Sequence, residues 1–181
     1  DAGVGDTFHV NDFGVYFGEP GVKVSDPYFD GQGPDRTGCI LCGGCMVGCR
    51  HGAKNTLDMN YLFLAENLGV DIIPETKVVD VQPNGSENYI LVTRKVTGMV
   101  KRKKIYHAGG VVFSGGVMGT VKLLHHCKSK GSLPNISQQL GNFVRTNSEA
   151  IQGVVAKGKD FDYSKGIAIT SGIYPDKNTH I

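Results

Sequence analysis

The chain has 181 residues, 40% of them hydrophobic and 20% charged, with a formal net charge of +2. That is too apolar for a disordered chain, and long enough for one core of its own or one shared with other segments. The net charge is too weak to argue for nucleic acid or for a membrane surface.

No apolar run approaches the roughly 18 residues of a membrane span, so no transmembrane segment is expected. The first residues lack the basic start and apolar core of a secretory leader, which makes a cytoplasmic location the default. Asp1 is not an initiator Met, and Ile181 follows a polar segment without a closing helix. Both ends are therefore expected to be cut, which leaves secretion open.

Residues 1–37 are rich in Gly, Pro and Asp, with short apolar alternations at Val15-Tyr16-Phe17 and Val22-Lys23-Val24. This composition predicts irregular loop with one or two short strands. The cysteine-rich loop 36–55 follows, holding Cys39, Cys42, Cys45 and Cys49 in a C-x2-C-x2-C-x3-C run. That spacing is the bacterial ferredoxin pattern, in which thiolates wrap an iron–sulfur cluster. Arg50 stands where ferredoxins have proline, and Cys127 is too isolated to complete a second set. The run could ligate one cluster or a zinc ion, form a disulfide, or remain a reduced glycine-spaced loop. His51 beside it is either a further ligand or an ordinary surface histidine.

Thr56 or Asp58 can cap a helix whose apolar positions Leu57, Tyr61, Leu64 and Leu68 recur at helical spacing, with Gly69 as terminator. Val70 to Ile73 predicts a short buried strand. Lys77 to Val81, Tyr89 to Val96 and Val100 to Tyr106 predict a three-stranded antiparallel meander, with Asn84-Gly85 and Thr97-Gly98 at its turns. The basic run Lys101-Arg102-Lys103-Lys104 interleaves with no aromatic rings for stacking on bases, so it reads as a solvated strand end.

Gly110 to Ser114 is a continuous apolar run of the kind found in parallel strands covered on both faces. Gly115, Gly116 and Gly119 then lead into a helix over Thr120 to Lys128, with Val121, Leu124 and Cys127 on one side. Past Gly131 the chain reads as loop, with strands expected at 150–157 and 167–173. A glycine turn between strand and helix brings bare N–H groups and the positive helix end together, which suits a pyrophosphate. It can equally be close packing of a helix on a strand. An antiparallel ribbon placed before such a turn is the element order of many flavoprotein domains, which points to FAD.

The stretch Arg36 to Leu64, with Asp26-Pro27-Tyr28-Phe29, Val111 to Leu124, Gly131 to Glu149 and Gly166 to His180, resembles the glucose-methanol-choline oxidoreductase family, in its bacterial cholesterol-oxidase-like branch. The resemblance covers nearly the whole chain. It implies an α/β fold, an α+β piece in which part of a Rossmann-like FAD-binding domain carries the meander as its crossover. That domain would take residues 1–145, and 146–181 would begin a β-rich substrate-binding domain.

The same resemblance implies FAD as cofactor and oxidation of a sterol or other alcohol, with a base taking the hydroxyl proton as hydride passes to the flavin. Oxygen or another acceptor would then take the electrons. It places Val78 at the adenine, Gly115 and Gly116 facing the FAD, and Asn147 near the flavin. It favours no metal at the cysteines and leaves an iron–sulfur electron-transfer module as the alternative. The G-x-G-x-x-G turn and the late His and Asn catalytic pair have no counterpart here, so no residue is assigned a catalytic role. The chain alone is expected to be inactive and to bind FAD weakly, completed by flanking segments of the same protein.

Overall fold

A computed structural model describes residues 3–145, 149–158 and 160–181. Its elements run β1 (His9–Val10), β2 (Lys23–Val24), β3 (Arg36–Thr37), α1 (Tyr61–Asn67), β4 (Thr76–Pro83), β5 (Tyr89–Lys95), β6 (Lys103–Ala108), α2 (Gly116–Lys130) and β7 (Ser171–Gly172). They form two compact bodies, residues 1–72 with 154–181, and residues 73–153.

The first body is loop-built, as the Gly, Pro and Asp content predicts. Its sheets are two-residue antiparallel pairs, β1 with β7 and β2 with β3. Point contacts do the rest. The Asp26 carboxylate accepts backbone N–H groups from Tyr28, Phe29, Gly31 and Gly33 at 2.8–3.1 Å. Burial opposes ionisation there, but those four donors outweigh it and lower the Asp26 pKa. Arg36 is fully buried: it donates to Asn55 Oδ1 at 2.8 Å and to the Met59 carbonyl, and lies 5.4 Å from the Tyr28 ring centroid. Its guanidinium thus ties together three segments far apart in sequence.

The expected helix over 56–68 is shorter. Leu57–Met59 form one 3-10 turn, and Asn60, not Thr56 or Asp58, caps α1 by accepting the Tyr61 N–H. Asn60 has φ −142° and ψ −103°, which breaks the helical path between the two turns. Gly69 follows with φ +89°, as its terminator role requires. Val70 to Ile73 is no strand, and Val70 and Ile73 are about half exposed. No strand among the described residues lies alongside to pair with them.

The second body is regular. β4, β5 and β6 form the predicted antiparallel meander in sequence order. The first turn is a loop over 84–88, closed by the Pro83–Tyr89 pair, with Gly85 at φ +77°. β6 begins at Lys103, three residues later than expected, because Val96 to Arg102 are spent on the second turn. The β4–β5 register slips by one residue between Val78 and Asp80. α2 packs on β4 and is longer than predicted, starting at Gly116 and closing at Gly131, which has φ +79°. Cys127 is fully buried, as its place on the inner side of the helix predicts.

Three further runs expected as strands do not form as expected. Gly110 to Ser114 is extended chain without a partner strand, and no named strand of the described residues pairs in parallel. Among the described residues, then, no sheet shows the parallel layers of a Rossmann-like fold. Of the strands expected at 150–157 and 167–173, the first is absent and the second shrinks to β7. All three runs have strand-like composition, but a strand exists only where a neighbour accepts its hydrogen bonds. The core is correspondingly small: among the described residues the buried apolar side chains are Ala53, Val81 and Cys127, while Val112 is 90% exposed.

Candidate functional site

In the second body, β4, the extended 111–114 segment and α2 enclose a groove of about 530 Å3. That is the size range of small-molecule and cofactor sites. Four residues of β4 line it, Lys77, Val78, Val79 and Val81. The register slip explains how adjacent positions manage this, since a residue inserted in a strand re-aims its neighbours. Asp80 does not join them. Its carboxylate accepts from Gln82 at 2.7 Å and from the Lys130 ammonium at 2.5 Å, and it is 2% exposed. Burial alone would raise the Asp80 pKa; Lys130 and Gln82 overcome that and hold it far below the ordinary carboxylate value.

The opposite wall is the start of α2. Gly115 is its N-cap, with no side chain capping the first turn and no acidic residue in it. The first N–H groups are thus free for an anionic acceptor. Gly116 has φ +71°, a conformation that disfavours a side chain. Gly119 lines the groove, and a Cβ there would meet nothing within 4 Å. The glycines hold bare main chain at an open cleft and are not plugged by the protein's own side chains.

Of the residues singled out in the sequence, Val78, Gly115 and Gly119 come to this one groove. Gly116 adjoins Gly115 as the first residue of α2 but is not in the lining. Asn147 lies outside the described residues. Sequence reasoning missed Lys77, Lys122 and His126, which bring cationic or ionisable groups to the same groove. Gly115, Gly119, Lys122 and His126 recur at three- and four-residue intervals, so helical periodicity carried that signal. The other histidines lie elsewhere: His180 and His9 stack with Tyr174 at 4.6–5.3 Å, and His125 abuts Gly141.

The cysteines form a separate site in the first body. Cys39, Cys42, Cys45 and Cys49 line a cavity of only about 10 Å3, with Val15, Ala53 and Lys54 among its other walls. All five cysteines are free thiols, so the disulfide alternative is not realised. Gly43, at φ +69°, lies so near the Ser164 carbonyl that a Cβ would overlap it at 1.8 Å. Lys54 Nζ donates to the Cys45 carbonyl at 2.8 Å. Burial would raise the Cys49 thiol, but the N–H groups of Lys54, His51, Ala53 and Gly52 converge on it and lower its pKa. Among the described residues no three His, Cys, Asp or Glu side chains converge as a metal-ligand set, so the iron–sulfur reading gains no support.

Residues 33–142 match the family model described as GMC oxidoreductase. The chain is 50% identical to a protein named cholesterol oxidase from Acinetobacter baumannii, over 99% of the chain and 34% of that protein. It is 43% identical to proteins of the same name from Mycobacterium tuberculosis strains CDC 1551 / Oshkosh and ATCC 25618 / H37Rv, over 100% of the chain and 33% of each. The chain thus spans about a third of the length of the curated relatives it matches. No solved structure matches it.

Proposed function

The chain belongs to the GMC oxidoreductase family, and from that membership we propose that it forms part of an FAD-dependent enzyme that oxidises an alcohol, with a sterol as the preferred substrate class. The observation that carries the reading is the open groove with Val78 on one wall and the uncapped glycine turn of α2 on the other. The sterol preference is drawn from the name shared by the relatives, cholesterol oxidase.

The residues fit a dinucleotide. Apolar Val79, Val81 and Phe113 suit the flat faces of an adenine, and the bare N–H groups at Gly115 and Gly116 suit a phosphate or ribose oxygen. Lys77 and Lys122 supply positive charge at the same cleft, with no acid in its lining. When bound, the cofactor supplies a two-electron acceptor for the alcohol carbon. This chain's part is to bind and orient the nucleotide portion; the base that takes the hydroxyl proton is not assigned to any of its residues. In this reading residues 1–145 belong to the FAD-binding domain and 146–181 open the substrate-binding domain. Asn147 is proposed near the flavin on the family resemblance alone. The apolar, unpaired segment 111–114 supports completion of the sheet by other parts of a longer protein, where it would serve as a parallel strand.

Replacing Gly119 with Leu tests the groove. A Cβ there would meet no other part of the chain within 4 Å, and Leu favours a helix more than Gly. In the full-length protein the variant should fold as stably as the parent yet retain little flavin in its visible spectrum after purification. Full flavin content in a folded Gly119→Leu protein would place the cofactor elsewhere. Turnover of a 3-hydroxysterol and of simple secondary alcohols, followed by reduction of a dye, separates the sterol reading from the general alcohol reading.

A further inference from the structure

The basic run Lys101-Arg102-Lys103-Lys104 takes no part in the groove. The meander sets it in a larger arrangement. Lys77 pairs with Arg94 and Arg94 with Lys103, so three like charges stand in one row on one face of the sheet. Like charges directly opposite one another destabilise a sheet, so such a row gains from an anionic partner. In the adjacent rows Lys104 sits opposite Thr93 and the Lys95 N–H bonds the Arg102 carbonyl at 3.0 Å. All of these basic side chains are exposed. Glu75 is the acid that faces them and it is engaged by Lys95 at 3.9 Å; no other ion pair forms with the cluster among the described residues.

The tip between these strands is apolar where turn tips are ordinarily polar. Met99 is 101% exposed, Val100 71% and Val96 44%. An apolar tip collared by lysine and arginine matches the layered chemistry of a bilayer surface, with hydrocarbon below and anionic headgroups around it. A nucleic acid would match the collar but not the tip. The ring within the patch, Tyr106, is half-buried with the Lys104 ammonium 4.5 Å from its centroid, so it is not free to stack on a base.

We propose that the β5–β6 tip, with Met99 and Val100 entering the bilayer and Lys101 to Lys104 and Arg94 at its headgroups, docks the protein on membranes that contain anionic phospholipid. No helix of the described residues is long and apolar enough to cross a membrane, so this contact is peripheral. It stands independently of the flavin reading, although a sterol substrate would reside in the same bilayer.

The test is sedimentation of the purified protein with vesicles of phosphatidylcholine alone and of phosphatidylcholine mixed with phosphatidylserine. The protein should pellet with the mixed vesicles only, and salt should release it. Each basic residue at an anionic surface strengthens binding about fivefold, so Lys101→Gln with Lys103→Gln should weaken partitioning roughly 30-fold. Met99→Asp, at a position with no packing to lose, should also weaken it. Equal pelleting with both vesicles, or no pelleting, overturns the proposal and leaves the lysines as guards against edge pairing of β6. Unchanged partitioning of Met99→Asp, together with duplex DNA binding as tight as vesicle binding, would instead make the patch a general polyanion site.

Discussion

The two cysteine environments show how differently the two bodies are built. Cys49 sits in a loop-built body whose shape is held by side chains reaching backbone groups, and the N–H groups around it favour its thiolate. Cys127 sits at 0% exposure on α2, where burial pushes its thiol up and Asp80 nearby adds to the effect. One body rests on a few irreplaceable contacts; the other rests on a repeating ladder that can lose any one rung. Strength of local regularity and sensitivity to a single substitution therefore run in opposite directions.

The largest break in that comparison is expected from Arg36→Ala. It leaves the Asn55 and Met59 oxygens without their buried donor, and it should cost about 3 kcal/mol. Hydrogen exchange should locate the loss around Arg36, Asn55 and Met59 and leave the meander ladder protected; equal loss of protection in the meander would contradict a local role for Arg36. Asp80→Asn should cost less, about 2 kcal/mol, since Lys130 is half exposed and can find water.

The same pair predicts the acid response. A carboxylate whose folded pKa is depressed contributes stability above its unfolded value, near 3.8, and that contribution is lost as pH falls further. Acid titration of stability should thus be flatter in Asp80→Asn than in the parent. Gly116→Ala should cost about 1 kcal/mol, because Ala disfavours the left-handed conformation at the α2 start.

Alkylation sharpens the contrast without changing stability. Cys49 should react with iodoacetamide well before Cys127, and mass spectrometry of partly modified protein reads the order. Equal rates would mean that the loop donors do not favour the thiolate. The smallest effect is expected from Cys42→Ser, at an exposed position: flavin content of the full-length protein should stay as it was. Iron or zinc lost with that change would revive the metal reading of the cysteine run.

Much of the second body was legible in sequence. β-branched runs with turn residues between them marked the meander, because those signals act over a few neighbouring residues; the helix was expected only from Thr120, and the structure starts it four residues earlier, at Gly116. The resemblance to the family rested on Arg36 to Leu64 and the segments around it, and the family match over residues 33–142 agrees with it. Less of the first body was legible. Asn60 displaced the expected caps, and nothing local announced that Arg36 would be buried against Tyr28.

Sequence alone determined where the chain can form a helix or a hairpin. Only the tertiary structure decided which apolar runs became strands, why Val79 could join Val78 and Val81 in the groove, and that charges from three strands would gather in one row. The reason is physical: turn and helix preferences are satisfied within a few residues, whereas a strand, a groove wall or a charged face exists only by virtue of partners distant in sequence.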